Sequence, residues 1–186
     1  MRYFYDTEFL EDGRTIELIS IGIVAEDGRE YYAVNSDMPA ELIRRDHWLL
    51  NNVWPHLPLR GYKSWLQYIG DGQHAVRTSE AGTLDTSSVL VKPRCVIANE
   101  VRELILAEPD PELWADYGSY DHVALAQLWG KMIYLPKGLP MFTRDLQQKW
   151  HDLGRPELPV QTDGEHDALA DARHLKACFE HLAGAA

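Results

Sequence analysis

The sequence predicts an α/β fold, a mixed β-sheet flanked by helices. Two observations predict it. Three strand-like segments follow one another between Arg2 and Val34, joined by short turns. After them, helical periodicity alternates with short apolar strand segments as far as the C-terminus. At 186 residues and 45% hydrophobic content, the chain is long enough for one domain with a sizeable core. A charged fraction of 25%, with 6 Trp and 9 Tyr, excludes a disordered chain.

Arg2 to Phe9 reads as a short aromatic-rich strand. Thr15 to Ala25 is a longer one, with Ile16, Leu18 and Ser20 on one face and Glu17, Ile19, Ile21 and Ile23 on the other. Asp27-Gly28 supplies a tight turn and Glu30 to Val34 returns, which makes an antiparallel meander. Pro39 to Trp54 is expected to be helical. Gly61 to Ser88 lacks sustained periodicity and is read as part of an insertion at about 61–92 in a single domain spanning 1–186. Val96 to Ala107 is a helix that ends before Pro109. Leu113 to Tyr117 is a strand, and Ser119 to Trp129 a helix with Ser119 as N-cap and Gly130 as its stop. Met141 to Thr143 reads as a last strand, and Arg144 to Leu153 as a helix closed by Gly154. In the final helix Ala168, Ala172, Leu175, Phe179 and Leu182 form one apolar stripe, with Asp171 at its edge.

The two cysteines, Cys95 and Cys178, are too few for a disulfide framework and lack zinc-ligand spacing, so both are expected to be buried thiols. No apolar run reaches the roughly 20 residues that span a bilayer, and no charged-then-apolar leader opens the chain, which predicts a cytoplasmic protein without membrane contact. The formal net charge of -11 excludes a protein that coats nucleic acid electrostatically. It leaves room for an enzyme that holds a few nucleotides at a metal site, where the ions supply the positive charge. Between Arg44 and Arg94, seven basic residues face four acidic ones, so this stretch is either ordinary solvated surface or a flank that touches a backbone.

The chemistry rests on five residues. Asp6 and Glu8, in Tyr5-Asp6-Thr7-Glu8-Phe9, point to one side of their strand, about 7 Å apart. Asp121 opens one helix, and His166 and Asp171 are expected at the start of the last. Two like charges about 4 Å apart repel by about 4 kcal/mol at an effective dielectric of about 20, so four converging carboxylates must protonate or bind cations. Hard divalent ions, Mg²⁺ or Mn²⁺, suit oxygen ligands, and a pair of them can drive hydrolysis of a phosphodiester. A neutral histidine beside them suits a general base. Taken singly each residue has an ordinary explanation: Asp121 as a favourable charge at a helix N-terminus, His166 as a cap or an exposed side chain. Asp116, Asp163 and Asp167 compete for the ligand roles, while His122, His174 and His181 are read as structural or solvated.

This ordered set resembles the DEDDh 3′–5′ exonucleases, with Asp6 and Glu8 matching the first motif, Asp121 the second, and His166 with Asp171 the third. The wording DTEF, RTIELISIGIVAEDGREYYAV, GSYDHVALAQLWG and HDALADAR is similar to the small actinobacterial-type exoribonuclease branch, related to ribonuclease T. The resemblance covers nearly the whole chain outside roughly Gly61 to Lys92. It implies a ribonuclease-H-like mixed sheet, two divalent ions (Mg²⁺ or Mn²⁺), and release of 5′-mononucleotides from RNA 3′ ends. DNA is the alternative strand and a homodimer a candidate assembly. It also implies that Thr7, Phe9 and Tyr120 hold the terminal nucleotide, Phe9 by stacking on a base. Tyr117 stands where many members carry Asn. The competing readings are a helical HD-type phosphohydrolase, a non-catalytic RNA- or nucleotide-binding module on the same fold, and an adaptor.

Overall fold

The computed structural model describes residues 1–69 and 74–184. A six-stranded mixed sheet forms its centre. Strands β1 (Arg2–Glu11), β2 (Ile16–Ala25) and β3 (Glu30–Asn35) make the expected antiparallel meander. Strand β9 (Glu112–Ala115) joins β1 in parallel, and β10 (Arg144–Asp145) joins β9. The far edge is β8 (Val91–Lys92), parallel to β3, so the order is β10-β9-β1-β2-β3-β8.

Alternation along β1 divides the core. Tyr3 and Tyr5 are buried with Ile97, Val101 and Ile105 of α3 (Arg94–Ile105) and with Ala124 and Leu125 of α4 (Ser119–Ala126). Phe4, between them in sequence, packs instead with Leu146 of α5 (Leu146–Asp152) and with Leu175, Phe179 and Leu182 of α6 (Ala168–Gly184). The apolar stripe of the last helix is thus a buried face.

The expected faces of β2 need correction at one point. Leu18 shares its core with Ile21 and Ile23, while Ile19 packs with Val34, Met38 and Trp54. The register explains it: Glu8 pairs with Ser20 but Phe9 with Leu18, so β2 carries one extra residue there. A bulge of this kind reverses the alternation beyond it.

Several boundaries also differ. The helical stretch from Pro39 divides into α1 (Ala40–Ile43), α2 (His47–Asn52) and a 3₁₀ turn at Trp54–His56, because the Asp46 carboxylate caps a new helix by accepting from the Trp48 and Leu49 N–H groups. Gly118, rather than Ser119, occupies the N-cap of α4, and no side chain caps it. Gly130, at φ 80°, stops the segment as expected. The last strand is Arg144–Asp145, not Met141–Thr143, because Asp145 both ends the strand and caps α5. Within 61–88 the sequence shows no periodicity, yet β5 (Lys63–Ile69) and β6 (His74–Glu80) pair as an antiparallel hairpin apart from the main sheet. Flanking it in sequence, β4 (Leu59–Arg60) pairs with β7 (Thr83–Leu84). Residues 70–73, with Asp71 of the charge count, lie outside the described residues, as do 185–186. Cys178 is buried as expected, but Cys95 is exposed, because it falls on the outer side of the first turn of α3. No helix among the described residues is long and apolar enough to cross a membrane.

Candidate active site

Strand β1 pairs with β9 only across Arg2–Phe4, so its outer edge is open from Asp6 onward. Asp121, on the first turn of α4, closes that edge. Its Oδ1 accepts the Thr7 backbone N–H at 2.9 Å and the Thr7 hydroxyl at 2.7 Å. These bonds hold a carboxylate, itself buried, beside the strand that carries Asp6 and Glu8.

The last helix reaches the same place from the other face of the sheet. Gly22 pairs with Asp6, and a Cβ on Gly22 would overlap the backbone of Ala168 and Leu169. The first turn of α6 therefore rests directly on β2 beside Asp6, a close approach that only glycine permits. Gly22→Ala must push the helix off the sheet. Overpacking of this kind costs about 1–3 kcal/mol, so thermal unfolding should fall by about 2–12 °C for a chain of this size. An unchanged midpoint would show that the approach is not structurally required.

His166 was expected on this helix; it lies instead in the turn before it, at φ 67°, in the left-handed region where histidine is one of the more tolerated non-glycine residues. Asp167 occupies the capping role, its Oδ1 accepting from Leu169 and Ala170. Asp171 ties the turn down, with Oδ2 accepting the His166 backbone N–H at 2.9 Å and Oδ1 accepting from Gln161 Nε2 at 2.6 Å.

Asp6, Glu8, Asp121, His166 and Asp171 all line one pocket of about 430 Å³, together with Thr7, Phe9, Glu11, Asp46, Trp48 and Leu49. Ligand atoms of Glu8, His166 and Asp171 lie within 4.8 Å of one another. No Lys or Arg pairs with any of the four carboxylates among the described residues. Loss of solvent and mutual repulsion therefore favour protonation. Glu8 is pushed up to about 8 by burial, then by Asp171 and Asp121. Asp121 rises to about 6 through burial, against the lowering hydrogen bonds from Thr7. Asp6 is raised well above the carboxylate range by burial and by Asp121, Glu8 and Asp171, and Asp171 is raised by burial. Partly buried oxygens without a local cation fit a hard divalent ion.

The sign of the pH dependence follows. Folded-state values of about 8 for Glu8 and about 6 for Asp121 lie above those of an unfolded chain. In that window the folded state binds more protons, so the site's contribution to stability falls as pH rises toward the Glu8 value. A bound divalent ion removes the cause. The rise in melting temperature that Mg²⁺ gives over chelator should be larger near pH 8 than near pH 5.5. A shift independent of pH would separate the ion from these carboxylates.

The competing acids have structural partners. Asp116 accepts from Gln147 Nε2 at 2.7 Å, and Asp163 from the Gly164 N–H at 2.8 Å. Among the other histidines, His174 sits 3.4 Å from the Cys178 sulfur. Phe9 lines the pocket, whereas Tyr120 does not; Tyr120 is 54% exposed, and its ring stacks on Phe9 at 6.0 Å and 11°. The basic stretch is largely compensated: Arg44 with Glu41, Arg60 with Asp85, Lys63 with Glu80 and Lys92 with Glu100 form ion pairs, and Arg94 donates to the Gln127 carbonyl. Sequence reasoning missed Trp48 and Gln161. Neither carries a motif, and both reach the site only through tertiary folding.

The chain as a whole has known relatives. Residues 1–183 match the family described as the 3′–5′ exoribonuclease Rv2179c-like domain. Two curated relatives, the 3′–5′ exoribonucleases Rv2179c and MT2234.1 of Mycobacterium tuberculosis strains H37Rv and CDC 1551, are each 46% identical over 173 residues, which is 93% of this chain and 88% of theirs. A match along nearly the whole chain establishes that this chain belongs to the 3′–5′ exoribonuclease Rv2179c-like domain family, a family of exonucleases.

Proposed function

We propose that the chain is a metal-dependent 3′–5′ exoribonuclease of the DEDDh class on a ribonuclease-H-like mixed sheet, releasing 5′-mononucleotides from RNA 3′ ends. The observation that carries this reading is the gathering of Asp6, Glu8, Asp121, His166 and Asp171 around one pocket. Asp6, Glu8, Asp121 and Asp171 would hold two divalent ions, Mg²⁺ or Mn²⁺. Such ions, when bound, activate the attacking water and stabilise the leaving oxygen. His166 takes the water proton on an imidazole nitrogen as the water oxygen bonds to phosphorus. The bond from phosphorus to the preceding 3′ oxygen breaks, and that oxygen takes up a proton from solvent, leaving a shortened strand with a 3′-hydroxyl and a nucleoside 5′-monophosphate. Thr7 keeps Asp121 facing the site through its two hydrogen bonds. Phe9, backed by Tyr120, offers an aromatic face to the terminal base, a contact worth about 1–3 kcal/mol and tolerant of sequence.

The charge balance supports a short footprint. With a net charge of -11 and most of the basic stretch paired, grip on a long backbone is weak, and recognition falls to the terminal nucleotide. The test is purified protein with Mg²⁺ or Mn²⁺ on 5′-labelled RNA and DNA of matched sequence. A ladder shortening from the 3′ end, faster on RNA, is the expected result. Binding without cleavage would favour a non-catalytic module, and faster loss of DNA would reassign the substrate.

A further inference from the structure

The His166 imidazole takes part in no hydrogen bond among the described residues; only its backbone N–H is tied, to Asp171. What its ring meets is Trp48, with ring centroids 4.8 Å apart and planes at 72°. This edge-on geometry is one of the two that aromatic quadrupoles favour, the other being offset stacking. Trp48 comes from the first turn of α2, far from His166 in sequence and fixed from two sides. Asp46 caps the turn by accepting the Trp48 N–H at 2.8 Å, and neighbouring Leu49 is buried with Ile19 of β2 and Val34 of β3. Yet the Trp48 residue is itself 52% exposed, so core packing does not explain a large apolar side chain at this place. It lines the same pocket as the carboxylates.

We propose that Trp48 is a positioning residue for His166, its indole packing against the imidazole and holding that ring over the carboxylate cluster. The inference rests on His166 being the general base. A histidine in this half-buried left-handed turn has a fixed backbone but no hydrogen bond among the described residues that sets its ring orientation. A rigid aromatic partner limits the rotation and keeps a ring nitrogen within reach of the water.

The test has a spectroscopic arm and a kinetic arm. In the metal-free protein the His166 ring-proton resonances should be displaced by the indole ring current. Trp48→Ala should move them to the positions of a freely rotating histidine, and Trp48→Phe should keep part of the displacement. In turnover, Trp48→Ala should lower kcat by about two- to thirteenfold, the range that loss of one aromatic pair supports, and leave KM within about twofold. Trp48→Phe should recover most of the rate. With His166→Asn already present, Trp48→Ala should cost nothing further. Unmoved resonances, or equal losses from Trp48→Ala with and without His166, would overturn the proposal. So would a defect in KM that vanishes on a substrate whose 3′-terminal nucleotide is abasic, since Trp48 would then be stacking on the base. Absence of turnover in the unaltered protein would instead remove the functional reading, and the resonances would still decide whether the rings touch.

Discussion

Asp6→Asn is expected to lower nuclease activity below detection while making the metal-free protein more stable. The two effects have one cause. The Asp6 carboxyl lies where burial, Asp121, Glu8 and Asp171 all oppose its ionisation. Asn keeps its shape and removes the charge, which relieves repulsion in the absence of metal. The same change removes a ligand that the proposed ion pair needs. Loss of a residue that merely supports a ligand costs about 10–100-fold in affinity or activity, and loss of the ligand should exceed that. Thermal unfolding in chelator should therefore shift upward, and the further rise on adding Mg²⁺ should shrink or disappear. A surface carboxylate would show neither change. Activity within tenfold of the unaltered protein would remove Asp6 from the site.

The sequence made the scaffold readable wherever an element's own pattern carries the information. The meander of β1, β2 and β3 follows from apolar, strand-forming runs of the right length and the Asp27-Gly28 turn, and α6 from its one-sided stripe. The misreadings fall where a neighbour decides. The β2 bulge moves Leu18 to the face of Ile21, and nothing local to β2 announces it. The β5–β6 hairpin forms a two-stranded sheet of its own, so no strand of the main sheet sets its pattern.

The candidate site divides in the same way. Its five titratable residues were visible because the residue types and order are unusual together. Their supports were not: Thr7 holding Asp121, Gln161 holding Asp171 and Trp48 meeting His166 all join parts of the chain that only the fold brings together. Gly22 had a latent signal, a glycine inside a largely apolar strand, which marks close backbone approach. The placement of His166 on the helix failed because Asp167 is the better cap, leaving the histidine in the turn before it.

That turn shapes the second large effect. His166→Asn is expected to slow turnover by about 10²–10⁴, the usual scale for loss of a general base. It should leave the Mg²⁺-induced rise in melting temperature nearly intact, because all four carboxylates remain. Asn is the more informative replacement than Ala. Residue 166 sits at φ 67°, a conformation that Asn adopts more readily than Ala, so the turn and the Asp171 hydrogen bond to its N–H survive. A loss in His166→Asn is then chemical rather than conformational, whereas Ala mixes the two. An ion held by His166 itself, alongside Glu8 and Asp171, would show differently, with the Mg²⁺ shift falling together with the rate. Turnover equal to that of the unaltered protein would take the histidine out of the mechanism and leave the carboxylates to activate water alone.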